Sequence, residues 1–221
     1  MIKKSMYAVY GANGCGRGVM PLARDMLNKR QKTAEFDLVF VDDHPPAEVV
    51  NGYSVLTYEQ FIAAEVREKY ICIAIADSAI RRKLSDRCAK DGILFFQVVA
   101  DNAVVMDEVL IGEGGILGAF VTLTSNIKIG RHFHANIYSY VEHDCVIGDY
   151  VTFAPAVKCN GNVVVEDHAY IGAGAILRQG KPGSPLVIGS GAIVGMGAVV
   201  TQNVPKGMTV VGNPAQSLIK A

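Results

Sequence analysis

From Val105 onward the chain carries an apolar residue at every sixth position: Ile111, Leu117, Leu123, Ile129, Ala135, Val141, Ile147, Phe153, Cys159, Val165, Ile171 and Leu177. A helix repeats at roughly 3.6 residues and a strand at about two, so neither produces this stripe. The following residue is often glycine, as at 112, 118, 130, 148 and 172. The residue four positions beyond is small or β-branched, as at Val121, Ser139, Val151, Val163 and Ala175. Such a hexapeptide repeat predicts a parallel β-helix whose coils stack on a shared core. Ile111, Ile129, Ile147 and Val165 stand eighteen apart, so three hexapeptides make one coil. After Leu177 the register breaks at RQGKPGSPL and resumes at Ile188, Val194 and Val200, which predicts a loop over 178–186 extruded from one corner.

Residues 6–100 obey a different rule. Short β-rich runs, MYAVYGA, FDLVFVDD, YICIAIADS and ILFFQVVA, alternate with the helical stretches GVMPLARDMLNKR, YEQFIAAEVREK and AIRRKLSDRCAKDG. This order predicts a small parallel sheet with helices on its faces, a Rossmann-like α/β domain over 1–100 ahead of the β-helix over 101–221. Ligands of such sheets bind beyond the carboxyl ends of the strands. The glycine turn GANGCGRG, residues 11–18, and the pair Asp42 and Asp43 fall there.

Composition narrows the function classes. Lys plus Arg and Asp plus Glu each number 21, so no net field draws the chain to nucleic acid or an anionic membrane. The start MIKKSMYAVYGA meets glycines too early for a signal segment, and no later run is long and apolar enough to span a bilayer, which points to a cytoplasmic protein. Five cysteines without CxxC spacing argue against a disulfide framework or a structural zinc site.

Within the β-helix, YSYVEHDCVIGDY sets His143 between Glu142 and Asp144. Val141 and Cys145 take inward positions, so His143 and Asp144 face outward or sit at a corner. A solvated surface pair is the plain reading. The chemical reading is an imidazole that accepts a proton near neutral pH, with a carboxylate fixing its tautomer. Successive strand residues point to opposite faces, so Asp144 reaches its neighbour only if the chain turns there.

The hexapeptides over 103–204, the ending VPKGMTVVGNPAQSL and the N-terminal βαβ pattern together resemble bacterial sugar acyltransferases of the sialic acid O-acetyltransferase type. The resemblance is strongest to the UDP-amino-sugar N-acetyltransferases of the bacillosamine pathway. YGANGCG, VDD at 41–43, AIADSAIRRKL at 74–84, ANIYSYVEHDCVIGDY and KCNGNV carry it. It implies a left-handed β-helix, a homotrimer with sites between neighbouring helices, and acetyl-CoA as donor to the amino group of a UDP-4-amino-4,6-dideoxy-N-acetylglucosamine-type sugar, for glycan biosynthesis. It also implies His143 as general base, Asp144 as the acid that orients it, and Asn136 near the acceptor or the histidine. Asn13, Gly14, Cys15, Asp42, Asp43 and Ala76 would line the UDP-sugar site, and Thr152, Ala173 and Met196 would contact the cofactor. Cys15 and Thr152 stand where the family commonly has histidine, and Asp144 where it more often has glutamate.

The glycines at 11, 14, 16 and 18 do not fit G-x-G-x-x-G, yet bare NH groups ahead of a helix suit a phosphate. Asp42 and Asp43 can accept hydrogen bonds from a uracil or ribose, or can simply cap a turn. Two further classes stay open beside sialic acid type O-acetylation. One is a structural trimer that only binds nucleotide sugars. The other is a zinc β-helix, for which His132, His134, His143 and His168 are present; Gly148 stands where the H-x4-H spacing needs a second histidine, so no metal is expected.

Overall fold

The computed structural model describes residues 4–30 and 35–218; residues 1–3, part of the start weighed above as a signal segment, lie outside that range. The chain divides into two compact units, Met1–Asp101 and Asn102–Ala221.

In the first unit the elements follow as β1 (Ser5–Tyr10), α1 (Gly14–Arg30), β2 (Phe36–Val41), β3 (Val49–Val50), β4 (Tyr53–Leu56), α2 (Tyr58–Ala63), β5 (Lys69–Ile73), α3 (Ser78–Lys90) and β6 (Leu94–Phe95). They form a sheet in the order β3-β4-β2-β1-β5-β6. Central β1 runs parallel to β2 and β5, and five of its six residues are buried, as expected of a strand covered on both faces. The sheet is not wholly parallel, which corrects the expectation: β3 runs antiparallel to β4. Its signal is Asn51-Gly52, whose φ angles of 50° and 84° are both left-handed, the requirement of a two-residue hairpin turn. Helix α2 is also shorter than the stretch read for it. A capping box between Thr57 and Gln60 starts it, and extended Ala64 stops it.

The second unit is a stack of coils built from strands of two or three residues, in three sheets of parallel pairs closed by the antiparallel pair Thr209–Val211 and Gln216–Ser217. Ahead of the extruded loop each strand pairs with the one eighteen residues on, as Lys128 with Val146 and Tyr140 with Lys158. The apolar stripe is the core: Leu117, Leu123, Ala135, Val141, Ile147, Phe153, Cys159, Val165, Ile171 and Leu177 are all buried, while Val105 on the first coil is 43% exposed. A second buried column runs through Val121, Ile127, Phe133, Ser139, Cys145, Val151, Val157 and Val163. Ser139 is satisfied there, donating to the Ala154 carbonyl at 3.0 Å and accepting from the Val157 amide at 3.2 Å. The extruded loop ends one residue before the sequence boundary, because Leu186 is already buried strand. Val163 pairs with Leu186, where the repeat would require Lys181.

The coils turn at residues in the left-handed region, again every sixth: Glu108, Phe120, Asn126, His132, Tyr138, Asp144, Tyr150, Ala156, Asn162 and His168 have φ between 54° and 63°. That conformation costs an ordinary residue roughly 1–2 kcal/mol. Stacking offsets it at two corners, where Phe120 lies on Tyr138 at 4.8 Å, and His132, Tyr150 and His168 stack at 5.2 and 5.1 Å. The third corner uses Asn126, Asp144 and Asn162, short polar types that tolerate it. Phe153 is fully buried and meets Phe133 edge to face at 5.2 Å. Phe153→Ala is expected to destabilise this unit by about 3–5 kcal/mol, read as a lower urea midpoint; an unchanged midpoint would speak against a shared core.

Candidate active site

The left-handed turn at Asp144, φ 59°, places two consecutive side chains on the same side of the chain. His143 Nδ1 lies 2.7 Å from Asp144 Oδ2, and both side chains are about half exposed. The backbone beneath is tied down: the Asn162 amide donates to the His143 carbonyl at 3.0 Å, the Asp144 amide to the Ser125 carbonyl at 3.2 Å, and the buried Cys145 thiol lies 3.6 Å from the His143 carbonyl. The hydrogen bond to Asp144 is the main cause of a raised His143 pKa. Solvent exclusion opposes it, and the charges of Asp144 and Glu142 add smaller upward pushes. Of the two acids flanking the ring, Asp144 is the one bonded to it.

Glu142 instead lines an adjoining groove of about 250 Å³ with Phe120, Thr122, Thr124, Tyr138, Ser139 and Tyr140. Tyr140 donates to Asn160 Oδ1 at 2.9 Å, and Asn160 Nδ2 to the Leu177 carbonyl at 2.8 Å. Asn136 is half-buried, with its amide donating to the Phe153 carbonyl at 2.8 Å. Gly161 lies directly under the imidazole, since a β-carbon there would fall 2.6 Å from Cε1 and from Nε2. The sequence reading did not single it out as a site residue. Its signal is a glycine outside the regular glycine column of the repeat, within the quoted KCNGNV.

Ala173 and Met196 come together on successive coils, joined by the Gly197 amide donating to the Ala173 carbonyl at 2.8 Å. Both are exposed, Met196 at 83%. Glycine at 172 is required for this approach, because a β-carbon would fall 2.5 Å from the Met196 nitrogen. Thr152 is only 3% exposed and does not share that open surface. His132 and His168 are absorbed in the corner stack with Tyr150.

In the first unit, exposed Asn13, Gly14 and Cys15 follow β1 and open α1, Asp42 and Asp43 follow β2, and Ala76 follows β5. Three adjacent parallel strands thus bring all six to one sheet end. The turn passes so close to its helix that a β-carbon on Gly16 would fall 1.7 Å from the Gly11 oxygen. Both aspartates already serve the fold. Asp42 accepts from the Ala12 amide at 2.9 Å and the His44 amide at 3.0 Å. Asp43 accepts from the Tyr10 hydroxyl at 2.8 Å and from Arg87 at 3.0 Å. Arg87 also reaches Glu59 and lies 3.7 Å over the Tyr58 ring. Fully buried Arg81 donates to the Ile75 and Ala76 carbonyls at 2.7 and 3.1 Å. Arg87 was not legible as a site element, because its partners lie on other elements of the unit, whereas Arg81 finds its partners five and six residues back, within the stretch AIADSAIRRKL.

A hexapeptide β-helix with an imidazole–carboxylate pair on its surface fits an acyltransferase. Comparison narrows the class. Residues 7–88 match the PglD N-terminal domain. The chain is 49% identical over 214 residues to the GDP-perosamine N-acetyltransferase of Escherichia coli O157:H7, covering 97% of this chain and 96% of that one. Among solved structures it is similar to WeeI from Acinetobacter baumannii AYE, at 56% identity and a TM-score of 0.92, covering 97% of this chain and 100% of that one. The acetyltransferase domain of PglB from Neisseria gonorrhoeae FA1090, in complex with acetyl coenzyme A, aligns at 29% identity and a TM-score of 0.84 over the same shares. The chain belongs to the acetyl-CoA-dependent sugar N-acetyltransferases. Among the described residues no helix is long and apolar enough to cross a membrane.

The raised His143 pKa has a readable consequence. The pair stabilises the fold fully below the ordinary histidine value, and that contribution is lost as pH rises through the higher folded value. Asp144→Asn is expected to lower the His143 midpoint in an NMR titration. A midpoint that does not move would mean that the carboxylate leaves the ring unaffected.

Proposed function

We propose that His143 is the general base for acetyl transfer to a sugar amine, with Asp144 as its orienting acid. The observation that carries this is the 2.7 Å contact between them on an exposed corner. The amine nitrogen attacks the thioester carbonyl, the C–N bond forms as the C–S bond breaks, His143 takes the amine proton, and CoA leaves as the thiol once its sulfur takes up the proton that His143 releases. Asn136, seven residues before His143, serves the acceptor end of this site. Ala173 and Met196 hold the donor on the later coils with main-chain groups, and Thr152 supports that surface from within.

The acceptor in this reading is a nucleoside-diphosphate-linked 4-amino-4,6-dideoxy sugar. Asn13, Gly14, Cys15, Asp42, Asp43 and Ala76 form the nucleotide end, supported by their gathering at one sheet end. The motifs shared with the bacillosamine-pathway enzymes favour a UDP-linked N-acetylglucosamine derivative. The near full-length relative that acts on GDP-perosamine favours a GDP-linked acceptor as the second reading. A left-handed coil, a homotrimer with sites between neighbouring helices and a cytoplasmic setting belong to the same proposal. Apolar Leu110, Val146, Tyr170 and Ile193 on the outer coil faces are consistent with the trimer.

Thiol release from acetyl-CoA, followed with UDP- and GDP-linked 4-amino sugars and with sialic acids, is expected to proceed with the amino sugars. Reaction with hydroxyl acceptors alone would make the protein an O-acetyltransferase instead. Binding of nucleotide sugar without any thiol release would leave only the structural reading.

His143→Ala is expected to fold normally and to lose turnover by about 10²–10⁴-fold. Because the base must be neutral, kcat/KM should rise with pH along a limb lying above the ordinary histidine range. Asp144→Ala should shift that limb downward as it lowers the maximum. Near-parental turnover of His143→Ala across neutral pH would end the proposed mechanism.

A further inference from the structure

We infer that Gly161 is a positioning residue for His143, and that its missing side chain is the space in which the imidazole lies. This rests on the reading of His143 as the base. A β-carbon at 161 would fall 2.6 Å from both Cε1 and Nε2 of the ring and 3.1 Å from Cδ2, closer than atoms pack without one of them moving.

The main chain at this step is held on both sides. The Gly161 carbonyl accepts from the Gly180 amide at 2.9 Å, the Asn162 amide donates to the His143 carbonyl at 3.0 Å, and the Asn162 carbonyl accepts from the Leu186 amide at 3.1 Å. Gly180, at the root of the extruded loop, closes onto this step so tightly that its own β-carbon would fall 2.1 Å from the Asn162 oxygen. Gly161 is not among the glycines of positive φ, and the three atoms nearest to a β-carbon there all belong to the His143 ring. With the backbone fixed and the imidazole 46% exposed, the ring is the part that yields, and in yielding it leaves Asp144. The groups facing it are then Glu142, Asp144 and the Cys145 thiol, the neighbours that set its charge state.

Gly161→Ala is therefore expected to keep its thermal midpoint and its acetyl-CoA affinity. Its kcat should fall about a hundredfold, as for a small misplacement of a reacting group. The His143 midpoint, assigned in NMR titrations by its absence from His143→Ala, should drop toward the ordinary histidine range. In an Asp144→Ala background the same substitution should cost much less, because the bond it breaks is already gone. An unchanged His143 midpoint would overturn the positioning role. A lowered midpoint with undiminished kcat would keep the seat and overturn the base. Should Gly161→Ala fail to fold, the His143→Ala/Gly161→Ala double variant decides: folding of the double identifies the ring as the obstacle, and failure of the double places the need for glycine in the backbone and removes the proposal.

Discussion

From Glu108 to Gly174 every sixth residue enters the left-handed region of backbone space, and this single requirement organises the rest. It fixes the corners, and the corners fix which residues face in. The strain of Phe120 and Tyr138 at one edge, and of Tyr150 and His168 at another, persists because their rings stack from coil to coil. At the third edge no stack is needed, since asparagine and aspartate tolerate the turn, and this polar edge carries the imidazole–carboxylate pair. A glycine at position 144 would satisfy the same backbone and remove the carboxylate.

The pair carries a compromise in its electrostatics. A carboxylate bonded to an imidazole makes it a stronger base and also keeps it protonated to higher pH, so fewer molecules are ready to accept a proton in neutral solution. Partial exposure moderates this, because water screens the carboxylate's charge. A fully buried pair would hold its proton through a stronger interaction and lose the ring's access to a substrate.

The coil core was legible because a period of six has almost no competing explanation. The corner at Asp144 was legible as a requirement, since two neighbours on a flat strand cannot meet. What escaped was local chemistry read with too coarse a rule and contacts set by distant packing. Asn51-Gly52 carries a complete hairpin signal, yet the alternation of strands and helices around it pointed to a parallel sheet. Gly161 stands outside the glycine column of the repeat, but only the ring placed above it shows what the missing side chain leaves room for. Arg87 depends on three elements of the unit at once, so no window of sequence contains its partners Asp43, Tyr58 and Glu59. Asp42 and Asp43 were visible as acceptors; what the structure adds is that each already holds part of the sheet end together.

Many enzymes assemble a base and its acid from segments far apart in the chain. In the proposed site the two are consecutive residues whose meeting needs only one backbone turn, so their geometry forms without closing a long loop. A distant element also meets the ring, the bare backbone of the following coil at Gly161. The smallest heritable unit of this pair and its seat is thus two successive coils, a length that repeat duplication can copy whole, and a copied corner without its glycine neighbour would inherit the residues of the pair but not the room for the ring.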